Sequence, residues 1–433
     1  MNLIKKLNWL HPLNIAANIP KTEQSWALLY SGLQTPHSGR YSILALDKQE
    51  EVSETFSALE NKLSCHDNKL DNAWFGYFGY GLKNALEKLT VDAPSYINSP
   101  DLFFARYGTI LVFDHEENCV EVWGENENVD RLSCIVYRYK EPTINDKLQV
   151  INVSSNMTRE QYLAKVTTIK DAISRGDIYQ ANLTRKFFGE INADANPFNI
   201  FQKLCEISPA PYSAFIKNDD LSIISSSPER FLYIDKNGNV NTRPIKGSSA
   251  RHPDKEGDIK AKAALAASEK DRAENLMIVD LSRNDLARNC VPGSIKVGEL
   301  FGIETYSTVH HMVSSVSGIK NPDATTLELI KGCFPPGSMT GTPKIKAMEI
   351  CSGLEKLKRG IYSGAIGWLG GDGSADLAVT IRTIIIKGNK FEFQVGGAIV
   401  NDSVAETEFL ETMTKAKGVA TALGISIEEL GRL

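Results

Sequence analysis

Short strand-like runs separated by polar turns dominate this sequence, and their order restricts the fold more than any other feature. Residues 109–125, TILVFDHEENCVEVWGE, predict two strands joined by a Glu-Glu-Asn turn. The pattern returns late in the chain, where AIGWLG, LAVTIRTIIIK and FEFQVGGAIV precede a helical segment at about 404–422. Because strands in hairpin order are mixed with long helices, we expect an α+β fold with antiparallel sheet rather than a doubly wound parallel one.

A polar stretch at 141–156, EPTINDKLQVINVSSN, suggests a boundary between two domains. We expect a β-rich region at 1–150 and a second domain at 151–433. A helix is predicted to begin at Thr158, which forms a capping box with Gln161. The apolar side chains of that helix follow at steps of four and three residues: Tyr162, Val166, Ile169 and Ile173.

The composition excludes several classes of function. The chain has 433 residues, 42% of them hydrophobic and 23% charged, with a net charge of −5, the balance of a soluble globular protein. No Lys/Arg block favours nucleic acid, and no apolar run is long enough for a signal peptide or a membrane span. Seven scattered cysteines are typical of free thiols in a reducing compartment, so we expect a cytoplasmic protein without zinc.

Two pairs of carboxylates lie on predicted helices. Asp271 and Glu274 are three residues apart, as are Glu408 and Glu411, so each pair lies on one helix face. The second helix is predicted to start with a capping box of Ser403 and Glu406. Two such faces across a cleft suit Mg²⁺, although carboxylates at this spacing are usually solvated surface groups.

Glycine-rich turns and one lysine are the other candidates for chemistry. The run CFPPGSMTGTPK at 333–344 and the pair Gly396-Gly397 offer free backbone amides for a carboxylate, while tight-turn geometry is the simpler interpretation of each. Lys246, in RPIKGSSAR, is a surface residue unless something buries it. A desolvated lysine amine becomes neutral and nucleophilic near pH 7.

Ten segments of this chain, in the same order, resemble the chorismate-utilising enzymes, and together they cover residues 155–420. That family includes anthranilate, aminodeoxychorismate, isochorismate and salicylate synthases, and it implies large antiparallel sheets packed as a sandwich with flanking helices. The segments are GDIYQANLT (176–184), PAPYSAF (209–215), SSPERF (226–231), RPIKG (243–247), DRAENLMIVDLSRNDLAR (271–288), YSTVHHMVSSVSG (306–318), FPPGSMTGTPK (334–344), RGIYSGAIGW (359–368), DLAVTIRT (376–383) and GGAIVNDSVAETEFLETMTKA (396–416).

One position separates the subfamilies. Lys246 resembles the lysine of the aminodeoxychorismate synthases, where anthranilate synthases have alanine, and Gln180 replaces the base lysine of the water-using members. The resemblance therefore implies amination of chorismate at C4 to 4-amino-4-deoxychorismate, in folate (para-aminobenzoate) biosynthesis. Anthranilate synthase component I is the alternative with the same fold, and a non-catalytic tryptophan-binding regulatory subunit is a distant one. Ser248 stands where the family usually has threonine.

The same resemblance implies a role for each site residue. Glu274 and Glu411 are expected to bind Mg²⁺ with help from Asp271 and Glu408, so carboxylates of the two helices should approach within roughly 4 to 6 Å and at least one should have a raised pKa. Lys246 is expected to attack C2 while Glu229, held protonated near neutral pH, protonates the leaving C4 hydroxyl. The expected substrate-binding residues are His311, Ser338, Tyr362, Arg382, Gly396 and Gly397.

The ammonia is expected to come from a separate glutamine amidotransferase subunit. No cysteine of this chain lies in a glycine-rich nucleophile turn with a downstream His-x-Glu partner, which a glutaminase needs. Relatives also bind tryptophan between the N-terminal sheet and PAPYSAF. The residues that match this tryptophan pocket are Ser31, Arg40, Tyr41, Pro211, Tyr212 and Ser213.

Overall fold

The computed structural model describes residues 1–35, 37–63, 70, 72–89, 93–124, 148–306 and 309–433. Their strands are β1 Asn2–Asn8, β2 Ser25–Tyr30, β3 Tyr41–Val52, β4 Trp74–Phe78, β5 Leu102–Asp114, β6 Cys119–Gly124, β7 Val150–Ser155, β8 Gln180–Ile191, β9 Tyr212–Asn218, β10 Leu221–Ser227, β11 Arg230–Ile234, β12 Asn239–Arg243, β13 Ile245–Ala250, β14 Lys296–Thr305, β15 Val309–Ile319, β16 Gly341–Thr342, β17 Ala365–Leu369, β18 Ala375–Val379, β19 Thr383–Lys387 and β20 Lys390–Ile399.

Helices flank these strands. They are α1 Pro12–Ala17, α2 Phe56–Glu60, α3 Lys83–Leu86, α4 Arg159–Ser174, α5 Pro197–Ile207, α6 Lys255–Ala267, α7 Glu269–Ala287, α8 Thr326–Cys333, α9 Lys344–Leu354, α10 Ala405–Leu423 and α11 Ile427–Gly431. Among the described helices, none has the length and apolar character that crossing a membrane requires. Cys65 and Cys134 lie outside the described residues, and the other five cysteines are buried free thiols.

The strands form two antiparallel sheets joined at β5. In the first sheet the order is β7-β8-β20-β19-β10-β9-β2-β3-β5-β6-β1. The second runs β4-β17-β18-β11-β12-β15, where β13 follows β12 along the same edge of β15 and β14 pairs with the other edge. The two sheets meet at β5 because this strand pairs with β4 through its first half and with β6 through its second half. The predicted α+β fold with antiparallel sandwich is confirmed.

Alternation of side chains along the strands explains how the layers pack. One apolar cluster lies between the sheets, with Tyr77 and Ile366 from the second sheet and Ile216 from the first. A second cluster packs α4, α5 and α10 on the outer face of the first sheet, and a third packs α7 and α8 on the other sheet. Each cluster combines side chains from both sides of residue 150. The division into two domains at that residue stays a prediction.

The N-terminal ends of α4 and α10 differ in how they are capped. The capping box of Thr158 and Gln161 is present at α4, as predicted. At α10 the predicted capping box was wrong, because the helix begins after Val404, which provides no side-chain cap. The Ser403 hydroxyl donates instead to Glu408 Oε1 at 2.7 Å, while Glu406 pairs with Arg159.

Candidate active site

The two acidic helix faces point toward one another across a cleft. Lys270 Nζ, on α7, lies 3.8 Å from Glu274 Oε1 and 3.7 Å from Glu408 Oε1 on α10. Both distances start from one nitrogen, so these carboxylate oxygens are at most 7.5 Å apart, the sum of the two. Helices separated by about 130 residues in sequence therefore bring their acidic faces to one place, as the family motifs implied.

Burial and charge give the carboxylates different properties. Burial raises the pKa of Glu274 above its ordinary value, and the nearby Glu411 and Asp271 add to the rise. Burial also acts to raise the pKa of Glu411, but Lys415, whose Nζ is 2.6 Å from Oε1, together with Lys246 and Lys270 leaves the pKa lowered. At least one of the four carboxylates thus has a raised pKa, as predicted.

Two lysines lie among the four carboxylates: Lys270 is near Glu274 and Glu408, and Lys415 pairs with Glu411. Within the described ranges, the one group of three potential ligand atoms that all lie within 4.8 Å of one another is His37, Glu299 and Glu304, elsewhere in the molecule. Arg243 already pairs with both of those glutamates. The closer approach of the four carboxylates around Mg²⁺ therefore stays a prediction.

Lys246 and Glu229 lie close to these carboxylates and influence the pKa values of one another. Burial lowers the pKa of the Lys246 amine, and Lys415 lowers it further against the opposing charges of Glu274 and Glu229. Glu229, which directly precedes β11, is only 5% exposed. Burial raises its pKa to about 7, although a hydrogen bond from Ser338 and the charge of Lys246 oppose the rise. A lowered pKa of the Lys246 amine favours the neutral form that a nucleophile requires, and a raised pKa of the Glu229 carboxyl favours the protonated form that an acid requires.

Ser338 connects these two groups. Its carbonyl oxygen accepts a hydrogen bond from Lys246 Nζ at 3.4 Å, and its side chain bonds Glu229. The turn that presents it continues into β16, where a Cβ on Gly341 would lie 2.3 Å from the Gln180 carbonyl oxygen. Gly341 therefore serves a close backbone approach, the simpler of the two interpretations of this glycine.

The two neighbouring histidines have different environments. His310 is satisfied by Asp258 and Thr305, each at 3.0 Å, as a core histidine would be. His311 Nδ1 lies 2.6 Å from Ser248 Oγ, so the serine that replaces the usual threonine keeps its hydroxyl in use. Burial lowers the pKa of His311 to about 3, helped by Arg382. Its Nε2 is buried without a partner in the part of the chain that is described, which leaves a neutral ring available to a ligand.

The expected carboxylate-binding residues have environments that restrict their contact with water. Arg382 has a left-handed backbone with φ of 49°, and burial lowers the pKa of its guanidinium. Tyr362 is 4% exposed, and burial raises the pKa of its phenol. On β20 the Gly396 carbonyl accepts from Lys415 Nζ at 2.9 Å, and a Cβ on Gly397 would lie 3.2 Å from Glu408 Oε2.

Sequence reasoning missed three residues of the site. Lys270 and Lys415 stand four residues from Glu274 and Glu411 on their helices, so their spacing offered a signal. Tyr162 was assigned to the apolar face of its helix, and its ring does pack there. Its hydroxyl, however, lies near the acidic residues of α10.

The six residues expected to bind tryptophan line one cavity of about 730 Å³. The Ser31 hydroxyl donates to the Tyr41 carbonyl oxygen at 2.7 Å, and the Arg40 guanidinium pairs with Asp114. Tyr212 lies beneath the guanidinium of Arg230, 5.1 Å from the ring centre. The occupant of this cavity stays a prediction.

The sequence profile of the chorismate binding enzymes matches residues 23–421. The chain belongs to this family. It is 39% identical over 348 residues to aminodeoxychorismate synthase component 1 of Escherichia coli (strain K12), covering 80% of this chain and 76% of that protein. It is 37% identical over 379 residues to anthranilate synthase component 1 of Acetivibrio thermocellus, covering 83% and 75%.

The fold is also similar to that of a solved structure. The crystal structure of anthranilate synthase component I from Streptococcus pneumoniae TIGR4 superposes with a TM-score of 0.78 at 30% identity, covering 89% of this chain and 93% of that one. The protein is therefore an enzyme that acts on chorismate.

Proposed function

We propose that this enzyme aminates chorismate at C4 to give 4-amino-4-deoxychorismate. One observation carries the proposal: the Lys246 amine and the Glu229 carboxyl meet at Ser338, the amine with a lowered pKa and the carboxyl with a pKa of about 7. The name of the Escherichia coli relative supports the same reaction.

In the proposed reaction one side chain bonds to the ring and another transfers a proton. The neutral Lys246 amine forms a bond to C2 as both ring double bonds shift, from C1=C2 to C1=C6 and from C5=C6 to C4=C5, and the C4–O bond breaks. Glu229 gives its proton to that oxygen, which leaves as water. Ammonia then bonds to C4, the C2–N bond to lysine breaks as both double bonds return to C1=C2 and C5=C6, and the Glu229 carboxylate takes the proton that ammonia loses.

The carboxylates fit Mg²⁺. Their donors are hard oxygens on two facing helices, and the position of the Lys270 ammonium between Glu274 and Glu408 supports a place suited to positive charge. We propose Glu274 and Glu411 as ligands, with Asp271 and Glu408 assisting. A bound Mg²⁺ supplies positive charge that holds the carboxylate on the ring of chorismate.

Other residues position the substrate. Arg382 provides a planar donor group for a second carboxylate, and the amides near Gly396 and the Tyr362 hydroxyl complete that end of the cleft. The unpartnered Nε2 of neutral His311 faces the leaving side of the ring in this arrangement.

We further propose that ammonia comes from a glutamine amidotransferase subunit, and that the cavity lined by Tyr212 and Ser213 binds tryptophan. The designation of the Escherichia coli relative as component 1 supports a second subunit. The aromatic and hydroxyl lining of the cavity supports an aromatic amino acid.

Product identity tests the proposed function. The chain is incubated with chorismate, Mg²⁺ and ammonium, and the product is analysed by mass spectrometry. We expect the mass of an aminated chorismate that retains its enolpyruvyl group and gives para-aminobenzoate only after a lyase is added. Direct appearance of fluorescent anthranilate would contradict the proposal and favour anthranilate synthase.

A further inference from the structure

Tyr162 carries a buried hydroxyl that the proposed reaction does not use. The residue is fully buried on α4, and its ring packs edge-on against Phe409 of α10, with ring centres 5.9 Å apart. Its Oη has no hydrogen-bond partner among the residues that the structure describes. Ring packing alone would be served equally well by phenylalanine.

An unpaired hydroxyl in a protein interior costs free energy because it has lost its hydrogen bonds to water. Buried polar groups in native proteins therefore usually have a partner, and an exception calls for an explanation such as a bound water or ion. The surroundings of Tyr162 Oη indicate what kind of partner fits there.

A small space opens beside the hydroxyl because Gly397 has no side chain. A Cβ at Gly397 would lie 3.8 Å from Tyr162 Oη and 3.2 Å from Glu408 Oε2. The two oxygens therefore face one space and are at most 7.0 Å apart, the sum of these distances. The other oxygen of Glu408 is occupied by the Ser403 hydroxyl, so Oε2 is the one turned toward the space.

We propose that Tyr162 and Glu408 together hold a water molecule of the Mg²⁺ coordination shell in the space beside Gly397. This inference rests on the proposed Mg²⁺ site. A metal-bound water has two hydrogens to donate, and Glu408 Oε2 and Tyr162 Oη are acceptors on two sides of it. Mg²⁺ keeps several of its waters in proteins, so outer ligands of this kind determine where the ion is placed.

Tyr162→Phe tests the proposal because it removes only the hydroxyl. The Kd for Mg²⁺, measured by isothermal titration calorimetry with magnesium chloride alone, should rise by roughly ten- to a hundredfold, as for other outer-shell ligands. The Tm without Mg²⁺ should stay equal or rise, since an unpaired buried hydroxyl is lost. If the hydroxyl has a merely structural partner, Tyr162→Phe will instead lower that Tm and leave the Kd for Mg²⁺ unchanged. That result would overturn the proposal.

Two further variants complete the experiment. Tyr107→Phe is the matched control, because Tyr107 is equally buried but bonds Ser25 between the sheets. It should lower the Tm and leave the Kd for Mg²⁺ unchanged. Gly397→Ala places a methyl group in the water's space and should weaken Mg²⁺ binding with Tyr162 intact.

The outcomes separate this inference from the proposed function. Normal Mg²⁺ binding by wild type, Tyr162→Phe and Gly397→Ala alike would overturn the role of Tyr162 and leave the magnesium proposal standing. Absence of Mg²⁺ binding in the wild type would overturn the magnesium site and this inference with it.

Discussion

Replacing Glu229 with glutamine should stabilise the fold while it abolishes catalysis. Burial raises the pKa of this carboxyl from 4.5 to about 7. The folded chain therefore binds the proton more tightly than the unfolded chain, and the cost of ionising Glu229 appears as the pH rises through this window. The cost is absent well below pH 4.5 and complete above pH 7.

The magnitude follows from the shift in pKa. With the side chain almost fully buried, linkage gives a cost of about 1 kcal/mol at pH 5 and about 3 kcal/mol at pH 8. Glutamine keeps the shape of the side chain and never ionises, so Glu229→Gln should gain about 2 kcal/mol more over wild type at pH 8 than at pH 5.

Urea unfolding at the two pH values measures this difference. Glu256→Gln, on the exposed face of α6, is the control and should change the free energy of unfolding equally at both. Amination by Glu229→Gln should fall by about a hundredfold or more, since acid catalysis contributes that much. A gain in stability that does not depend on pH, or retained activity, would refute the assignment of Glu229 as a buried acid.

Two other predictions concern the proposed nucleophile and metal site. Lys246→Ala should remove the lysine-dependent amination and leave the far-ultraviolet circular dichroism spectrum unchanged, because this lysine contributes no apolar side chain to the core; full amination activity would exclude it as the nucleophile. Glu274→Gln and Glu411→Gln should each shift the Mg²⁺ dependence of activity to higher concentration, because each removes an anionic ligand without changing shape. Unchanged Mg²⁺ titration curves for both would place the metal elsewhere.

Local sequence patterns predicted much of the fold. The hairpin of β5 and β6, the capped start of α4 and the helical spacing of the acidic pairs depend on neighbours in sequence. The joining of two sheets at β5 depends on pairing with three different strands, and no local pattern specifies which strand takes which edge.

Local sequence patterns predicted the candidate site only in part as well. Motifs of the family led to Glu229 and Lys246, yet their pKa values come from burial among distant segments, which spacing does not reveal. Ser403 was predicted to cap a helix because its sequence pattern fits, but its hydroxyl bonds Glu408 instead. Tyr162 fits an apolar stripe, and only the fold shows that its hydroxyl reaches past the stripe to the acidic cleft.

Covalent attachment of the ring to Lys246 tests the central claim most directly. The chain is incubated with chorismate and Mg²⁺ in the absence of ammonia, quenched, and examined by intact-protein and peptide mass spectrometry. We predict an added mass of chorismate less one water, located on the peptide that contains Lys246 and discharged when ammonium is supplied. Aminated product formed at the same rate by wild type and Lys246→Ala, with no adduct on the wild-type peptide, would contradict the account.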